Sequence, residues 1–400
     1  MDKGGSPLFS AAQEWNAAAM DKTLADKLAV WRRHLHAHPE LGLHETKTAA
    51  FVCERLKELG IPFTSGVGGH GIVATISRGQ SNRSVGLRGD MDALPITETT
   101  GLPYASTTPG VMHACGHDGH TTSLLGAGAL LMQDTSWAGT VHLVFQPAEE
   151  GGGGAMSMIK DGLFTRFPME SIYGYHNWPG LEAGTVMVHD GPCMAGGGRI
   201  EITMEGLAGH AALPHLTRDP MVAAGHVLVA LQSIVARNVD PLDTAVVTIG
   251  AIEGGKASNQ IPAKVTMRGT QRFYRPEVSS LLVESITRVA KGIAATFDMQ
   301  AHVDVRVGIN PTVNHKANAA MAVEACEAGG IPVRTDLRPA MTGEDFSCFL
   351  EERPGAFVWI GNGPSEPGKD LHNDGYNFND EILPNASGFL AGVARRALRG

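Results

Sequence analysis

The chain has 400 residues and a formal net charge of −9, with 43% hydrophobic and 18% charged residues. This composition is typical of a folded globular protein with two or three domains and a substantial core. The acidic balance, without a basic patch or a long charge run, argues against nucleic acid and anionic membranes as partners. No segment approaches ~18 consecutive apolar residues, so we expect no membrane span.

The cysteine pattern bears on the cellular compartment. The five cysteines are an odd number scattered through the chain: Cys53, Cys115, Cys193, Cys326 and Cys348. This pattern favours reduced thiols over a disulfide framework. Residues 1–20 lack a basic region followed by an apolar run, so we expect a loose leader and no signal peptide. Together these features predict a cytoplasmic protein.

Hydrophobic patterning predicts alternating helices and strands before residue 193. Apolar residues at helical spacing predict helices over 23–38, 45–59 and 121–132. Gly60 suits the position just after the second of these helices. Short apolar runs predict strands over 71–77, 84–87, 139–145 and 171–175. Strands that alternate with helices indicate a mostly parallel sheet.

The order of elements changes between residues 194 and 311. There the pattern is strand, helix, strand, strand, helix, strand, over 198–205, 219–235, 245–253, 263–271, 276–297 and 301–309. This βαββαβ order predicts a ferredoxin-like α+β domain. Beyond it we predict helices over 315–328 and 386–398 and a strand over 356–360. The fold class is therefore α/β: a mostly parallel-sheet domain in two parts, 1–193 and 312–400, interrupted by an inserted α+β domain, 194–311.

Residues 112–121 crowd a thiol and imidazoles onto a glycine-containing turn before an apolar helix. Cys115 and His117 are two residues apart, so in extended backbone their side chains would project to the same face. A thiolate beside an imidazole suits zinc, with nickel, cobalt or manganese as alternatives. Taken alone, a buried cysteine beside surface histidines explains the pattern equally well.

Two aspartates follow the strand predicted over 84–87, at the end where open α/β sheets place their sites. Asp92 has two interpretations of equal weight: part of a capped turn, or the acceptor that orients a metal-binding imidazole. For Asp90, an ion pair with Arg88 is the better interpretation.

Glu149 and Glu150 follow the strand predicted over 139–145 and precede four glycines. Adjacent carboxylates at the end of an apolar strand are costly unless a cation neutralises them. One can bind a metal ion while its neighbour acts as a general base, and we favour this functional interpretation.

The remaining histidines are ambiguous when taken singly. His176 ends a predicted strand and His372 lies far downstream, and either alone would more often be structural. The tract of His34, His36 and His38 suggests a metal site, but the following proline and the adjacent arginines favour a structural turn.

Four segments together carry a specific resemblance to a known family: 89–95, 113–118, 147–151 and 343–346. They resemble the amidohydrolase subfamily that includes hippurate hydrolase, the plant indole-3-acetyl–amino acid hydrolases and bacterial N-acyl-amino-acid deacylases. This subfamily lies within the aminoacylase and carboxypeptidase group of di-metal peptidases. The resemblance extends from His38 to Asp380.

The resemblance implies a role for each candidate site residue. Two divalent metal ions would share the thiolate of Cys115, and the other ligands would be His117, Glu150, His176 and His372. Glu149 would act as general base and then as general acid. The wider group bridges its metals with a carboxylate, so the cysteine marks the subfamily. Asp118, although adjacent, is not included among the ligands.

The resemblance also implies that the inserted domain is a lid or dimerisation domain, which predicts a homodimer or dimer-based oligomer. His210 and Asn259 lie there on loops of small residues. A loop histidine is usually just solvated, but in relatives the matching histidine polarises the scissile carbonyl, often in the neighbouring subunit. His210 and Asn259 are therefore the expected oxyanion and substrate contacts, and His215 is not.

The implied reaction is hydrolysis of the amide bond in small-molecule N-acyl or N-aroyl amino acids. A dipeptidase or aminopeptidase of the same group is one alternative. Another is a cysteine hydrolase that pairs Cys115 with His117 or His120, which would survive chelation. A third is a non-catalytic metal-binding protein. Glu344 and Asp345 fit two roles equally well: capping a helix or lining the substrate pocket.

Overall fold

A computed structural model describes residues 20–399, so most of the predicted leader lies outside the described residues. The strands are β1 (Phe63–Val67), β2 (Gly71–Arg78), β3 (Ser84–Asp90), β4 (Gly139–Gln146), β5 (Ser171–Pro179), β6 (Val186–Met187), β7 (Pro192–Met194), β8 (Gly196–Glu205), β9 (Gly209–His210), β10 (Ala245–Gly254), β11 (Gln260–Ile261), β12 (Lys264–Phe273), β13 (Gln300–Ile309), β14 (Thr312–Val313), β15 (Val333–Arg334) and β16 (Gly355–Gly363).

The helices are α1 (Lys22–Ala37), α2 (Thr46–Glu58), α3 (His117–Gln133), α4 (Gly154–Lys160), α5 (Leu163–Arg166), α6 (Pro220–Arg237), α7 (Pro276–Thr296), α8 (Lys316–Ala328), α9 (Ser347–Glu352) and α10 (Leu383–Arg399). Short 3-10 helices span Pro214–Leu216 and Asp380–Ile382. Every predicted helix and strand is present, with ends shifted by a few residues. The sequence analysis does not predict β1, β7, the two-residue strands or the short helices α4, α5 and α9. The two-residue strands leave no local pattern, because partners distant in the chain define them.

The chain forms two compact units. The first contains the described residues up to Gly191, Asn314–Leu337 and those from Phe349 onward. Its eight-stranded sheet has the order β1-β2-β4-β3-β5-β16-β6-β15. Strands β4, β3, β5 and β16 are parallel to their neighbours in this series, whereas β1 and β2 are antiparallel additions at one edge. The predicted mostly parallel α/β sheet is confirmed.

Helix α3 is the central helix of the first unit. It is buried over almost its whole circumference, as expected for a helix that is apolar all round. It packs against α1, α10 and β3. Leu87, Leu124 and Leu143 are fully buried in the core that these elements share. Because α3 is held on several sides, its N-terminal end is a rigid support for side chains.

A buried charge network joins α1 to α3. His36 Nδ1 lies 2.8 Å from an Asp118 carboxylate oxygen, and Arg32 lies 3.5 Å from the same oxygen. Burial alone would lower the pKa of His36, but hydrogen bonds to Asp118 and Glu98 outweigh it and raise the pKa to about 9. His36 therefore has a structural role, as the sequence analysis favoured for the histidine tract. The Asp118 carboxylate pairs with His36 and Arg32, in line with its omission from the expected ligands.

The second unit contains Pro192–Val313 and Arg338–Cys348. Its antiparallel sheet has the order β10-β12-β8-β13, with α6 and α7 packed against it. This is the predicted βαββαβ ferredoxin-like arrangement, which is confirmed. It has its own core, which includes Ile200, Leu231 and Leu282.

Residues 338–348 join the second unit although the sequence analysis placed them in the first domain. The Tyr274 hydroxyl donates to the Ala340 carbonyl at 2.6 Å, and the Ala195 N–H donates to the Thr342 carbonyl at 2.9 Å. These contacts link segments far apart in sequence. The ranges 1–193, 194–311 and 312–400 stay a prediction of domains, because compactness does not test independent folding.

Helix α6 is long and apolar enough to cross a membrane when only length and composition are considered, and 33% of it is buried. One face, with Ala223, Val227 and Leu231, is buried in the second unit. This packing is that of a core helix in a globular unit. On its other face, Val222 and Val229 are 49% and 75% exposed.

His142 on β4 should make the free energy of unfolding depend on acidic pH. Its Nδ1 accepts from the Thr75 hydroxyl at 3.0 Å and its Nε2 donates to the Pro168 carbonyl at 3.1 Å. Burial lowers the pKa of His142 from 6.5 to about 4. Since the unfolded chain then takes up the proton first, stability should be lost as the pH falls from 6.5 and should level off below about 4.

Urea unfolding followed between pH ~7 and pH ~4 tests this prediction. His142→Gln removes the titrating group, so its free energy of unfolding should fall less over that range than that of the wild type. His44→Gln changes an exposed imidazole and should keep the wild-type pH dependence. The same pH dependence in His142→Gln and the wild type would contradict the prediction.

Candidate metal centre

The carboxyl ends of β3, β4 and β5 lie at one edge of the first unit's sheet, because these strands are parallel neighbours. Asp92 follows β3, Glu149 and Glu150 follow β4, and His176 lies in the last part of β5. This edge is where open α/β sheets place their sites. The strand pattern of the sequence therefore brings three separate segments together.

The N-terminus of α3 supplies Cys115 and His117. The helix begins at His117, four residues before the predicted start, and Gly116 precedes it in the left-handed region with φ +91°. A Cβ at Gly116 would lie 2.3 Å from the Asn177 amide nitrogen. Cys115 and His117 therefore do not lie in extended backbone: the expected glycine-containing turn, which only glycine fits at Gly116, brings the two side chains to the sheet edge.

Cys115 belongs to two groups of possible metal ligands. In one, the ligand atoms of Cys115, His117 and His176 lie within 4.8 Å of one another, and in the other those of Cys115, Glu150 and His372 do. The Cys115 sulfur is 3.3 Å from His176 Nε2, and His372 Nε2 is 3.1 Å from a Glu150 oxygen. A single sulfur shared by two ligand groups is the arrangement needed to bridge two ions.

Asp92 contacts one member of each ligand group, His117 and Glu150. One carboxylate oxygen lies 3.2 Å from His117 Nδ1, and the other accepts the Glu150 N–H at 2.9 Å. With Nδ1 on Asp92, the Nε2 of His117 is left to face a metal ion. Asp92 therefore orients one candidate ligand and the backbone of another.

A buried hydrogen-bond network supports the cluster from behind. Arg88 donates to Asp90 at 2.7 Å, and Asp90 lies 2.6 Å from His120 Nδ1. His120 Nε2 accepts the Asn177 N–H at 3.1 Å, and the Asn177 side chain donates to the Cys115 carbonyl at 2.7 Å. Both ring nitrogens of His120 are thereby occupied, so it is not placed to act as a base for Cys115.

The charges around Cys115 disfavour a free thiolate. Burial, together with the carboxylates of Glu150, Glu149 and Asp90, raises the pKa of the Cys115 thiol well above its usual value. A cysteine nucleophile needs the opposite, a lowered pKa. A divalent cation would offset both the burial and the repulsion, since metal binding deprotonates a coordinating thiol.

The donor atoms fit a metal centre. Among the described residues, the buried Nε2 of His117 has no hydrogen-bond partner, and it lies 3.6 Å from Asp90. One buried oxygen of Glu150 also lacks hydrogen-bond geometry, although His372 Nε2 is 3.1 Å away. The His372 imidazole thus lies beside this oxygen without a hydrogen bond to it, as two ligands that face one ion would. Lone pairs left unpaired at a buried site suit metal coordination.

His210 and Asn259 lie in the second unit, on two loops that pair with each other. His210 on β9 is opposite Gln260 on β11, and the Ala211 N–H donates to the Asn259 carbonyl at 3.0 Å. The Ala212 N–H donates to His210 Nδ1 at 3.1 Å. The ring proton of a neutral His210 must then be on Nε2, which makes that atom a donor.

Glu344 and Asp345 are buried just before α9. A Glu344 carboxylate oxygen accepts the Phe346 N–H at 2.9 Å, directly before the first residue of α9. Both roles, at the helix end and in the substrate pocket, stay predictions. Sequence reasoning assigned no role to Asn177 or to Tyr376, whose hydroxyl donates to Asn177 at 2.5 Å. The only sequence signal for Asn177 is its position directly after His176.

Comparison with known proteins agrees with this geometry. Residues 86–396 match the peptidase family M20/M25/M40. The chain belongs to this family. The N-acetyl-L-cysteine deacetylase of Bacillus subtilis strain 168 is 39% identical over 395 residues, which are 98% of this chain and 93% of the relative. The hippurate hydrolase of Campylobacter jejuni is 40% identical over 370 residues, which are 92% of this chain and 96% of the relative.

A solved structure from Bacillus subtilis, described as a dinuclear metal binding peptidase from the M20 family, is similar to this chain with a TM-score of 0.83. It is 34% identical, and the match covers 95% of this chain and 99% of that chain. The predicted resemblance to the hippurate hydrolase subfamily is confirmed, and with it the prediction of an amide-bond hydrolase.

Removal of divalent metal ions should destabilise the protein, and the effect should depend on Cys115. Ions that bind only the folded state raise its stability, so a chelator should lower the Tm of zinc-loaded wild type by roughly 5 °C or more. Cys115→Ala removes the ligand common to both groups, so its Tm should respond much less.

Differential scanning calorimetry with and without chelator measures the effect. Cys326→Ala is the matched control, because Cys326 is a buried cysteine on α8 outside these ligand groups; it should respond like the wild type. An equal chelator response in Cys115→Ala and the wild type would exclude Cys115 as a ligand.

Proposed function

We propose that the protein hydrolyses the amide bond of N-acyl or N-aroyl amino acids at a two-metal centre. The observation that carries the proposal is the Cys115 sulfur shared by two ligand groups, beside the adjacent carboxylates of Glu149 and Glu150. The relatives named hippurate hydrolase and N-acetyl-L-cysteine deacetylase support this substrate class.

The first unit supplies all the proposed ligands. Cys115 would be shared by both ions, and the remaining ligands would be His117, Glu150, His176 and His372. Thiolate, imidazole and carboxylate together suit zinc, with manganese, nickel or cobalt as alternatives. When bound, the two ions supply Lewis acidity, which makes water more acidic and polarises the scissile carbonyl.

Glu149 is the proposed general base and acid. Its carboxylate lies within 4.8 Å of ligand atoms of His117 and Glu150, yet consecutive side chains point in different directions. Glu150 can therefore bind a metal ion while Glu149 takes a proton from the attacking water. Glu149 then gives this proton to the nitrogen of the leaving amino acid.

His210 and Asn259 are the proposed substrate contacts from the second unit. With Nδ1 of His210 accepting from Ala212, its Nε2–H can donate to the carbonyl oxygen as negative charge develops there. The Asn259 side chain is exposed on the paired loop and can donate an amide hydrogen bond to the substrate. Asp92 keeps His117 in its binding orientation.

The 3.3 Å contact between Cys115 and His176 supports one second candidate, a cysteine hydrolase with that pair. The raised pKa of the Cys115 thiol argues against it, since the thiol would stay protonated. Amine release from hippurate, N-acetyl-methionine, an indole-acetyl amino acid and unblocked dipeptides, with and without chelator, separates these two candidates and the dipeptidase alternative. Chelator-sensitive release supports the proposal, chelator-insensitive release supports the cysteine hydrolase, and release from dipeptides alone supports a dipeptidase.

We also propose a homodimer formed through the second unit. The outer face of α6 is apolar, with Val229 75% exposed, and the adjacent β10 is an edge strand. A second copy would cover the apolar face and pair with the open edge. A reducing compartment such as the cytoplasm suits the chain, because the five cysteines are free.

Replacement of Glu149 should abolish most turnover without loss of the bound metal ions. Glu149→Gln keeps the size of the side chain but cannot accept the proton, so kcat/KM should fall by about 10²–10⁴-fold. Metal content, measured by mass spectrometry of the purified variant, should equal that of the wild type.

Glu54→Gln is the control, since Glu54 lies on α2 with its side chain 65% exposed; its kcat/KM should not change. Substantial turnover by Glu149→Gln would show that another group moves the proton.

A charge on the outer face of α6 should prevent dimer formation. Val229→Glu places a carboxylate in the proposed apolar interface, so sedimentation should report a monomer where the wild type sediments as a dimer. Val30→Glu is the control, because Val30 is 64% exposed on α1 in the first unit. A dimeric Val229→Glu variant would place the interface elsewhere.

A further inference from the structure

The turn that carries Glu149 has an uncommon backbone conformation. Ala148, directly before it, has φ +50°, in the left-handed region that a residue with a Cβ rarely adopts. Such a conformation persists only where surrounding contacts impose it. The contacts that impose it therefore determine where Glu149 and Glu150 point.

Two carboxylates hold the backbone on either side of Glu149. A Glu45 oxygen accepts the Ala148 N–H at 2.6 Å, and an Asp92 oxygen accepts the Glu150 N–H at 2.9 Å. Glu45 is fully buried. Burial of a carboxylate that accepts one distant backbone N–H costs free energy. Such a cost is expected where the structure needs that N–H to be held in place.

The segment that presents Glu45 is itself fixed against the site. The Glu40 carbonyl accepts the Ala93 N–H at 2.9 Å, next to Asp92. A Cβ at Gly42 would lie 3.2 Å from the Ala148 Cα and 3.3 Å from an Asp92 oxygen. The segment 40–45 is thus packed against both loops that carry site residues.

The two glutamates of this segment have separate tasks. The Glu40 carboxylate accepts the Lys47 and Thr48 N–H groups, each at 2.8 Å, and so caps the first turn of α2. Glu45 precedes the same helix and makes no side-chain cap. Its side chain is directed instead to Ala148, which a helix-capping role does not explain.

We propose that Glu45 is a positioning residue for Glu149. By accepting the Ala148 N–H, Glu45 keeps Ala148 in the left-handed conformation. Glu149 can then face the attacking water while Glu150 faces the metal ion. Gly42 is needed so that the segment can approach the turn. This inference rests on the proposed function, because it takes Glu149 as the proton-transferring group.

Glu45→Ala and Glu45→Gln test the proposal at saturating zinc. Glu45→Ala removes the acceptor, so kcat should fall about 10–100-fold while KM changes less than about threefold, as expected for a misplaced catalytic group. Glu45→Gln keeps an oxygen acceptor and should restore kcat to within a few-fold of the wild type. Since Glu150 lies on the same turn, Glu45→Ala should also weaken zinc binding several-fold in a direct titration.

Two further variants separate positioning from stability. Gly42→Ala removes no hydrogen-bonding group but displaces the turn, so it too should lower kcat. Glu40→Ala is the control: loss of the helix cap should lower Tm by a few degrees, with kcat unchanged.

The outcomes are distinct. Unchanged kcat and zinc affinity in Glu45→Ala, failure of Glu45→Gln to restore activity, or an equal loss of kcat in Glu40→Ala would each overturn the proposal. If the wild type releases no amine from any N-acyl amino acid, the proposed function fails. The zinc titrations of Glu45→Ala and Glu45→Gln would still decide the role of Glu45.

Discussion

The crowding of negative charge at the sheet edge is the constraint on which the site depends. Cys115, Glu149 and Glu150 are brought together by two segments whose positions the fold determines: the start of α3 and the end of β4. Burial and the neighbouring carboxylates raise the pKa of the Cys115 thiol, so the thiol keeps its proton when no cation is bound. Metal binding would displace this proton and offset the negative charge of the carboxylates.

The scaffold can hold this cluster because its supports are rigid. Helix α3 is enclosed by the core, and β3, β4 and β5 fix one another through their parallel pairing. Behind the proposed ligands, a series of hydrogen bonds runs from Arg88 through Asp90, His120 and Asn177 to the Cys115 backbone carbonyl. Hydrogen bonds of this kind leave the ligand few alternative positions, which is what precise coordination requires.

Sequence reasoning predicted the large elements well because each has its own local pattern. The period of apolar residues predicted the helices, and the resemblance to the amidohydrolase subfamily predicted that Cys115, His117 and His176 would lie together. It did not predict that α3 begins at His117, since this depends on how Gly116 fits against Asn177. Nor did it predict the roles of Glu45 and residues 338–348, because contacts between distant segments leave no local pattern.

His372 has φ +62°, and its N–H donates to the Ala114 carbonyl at 2.8 Å. The last proposed ligand is thus tied to the backbone beside the first one, across more than half of the chain. During synthesis, Cys115 leaves the ribosome long before His372 does. The proposed ligand set is therefore complete only after nearly the whole chain has been made, and on this proposal the second ion is acquired late in folding.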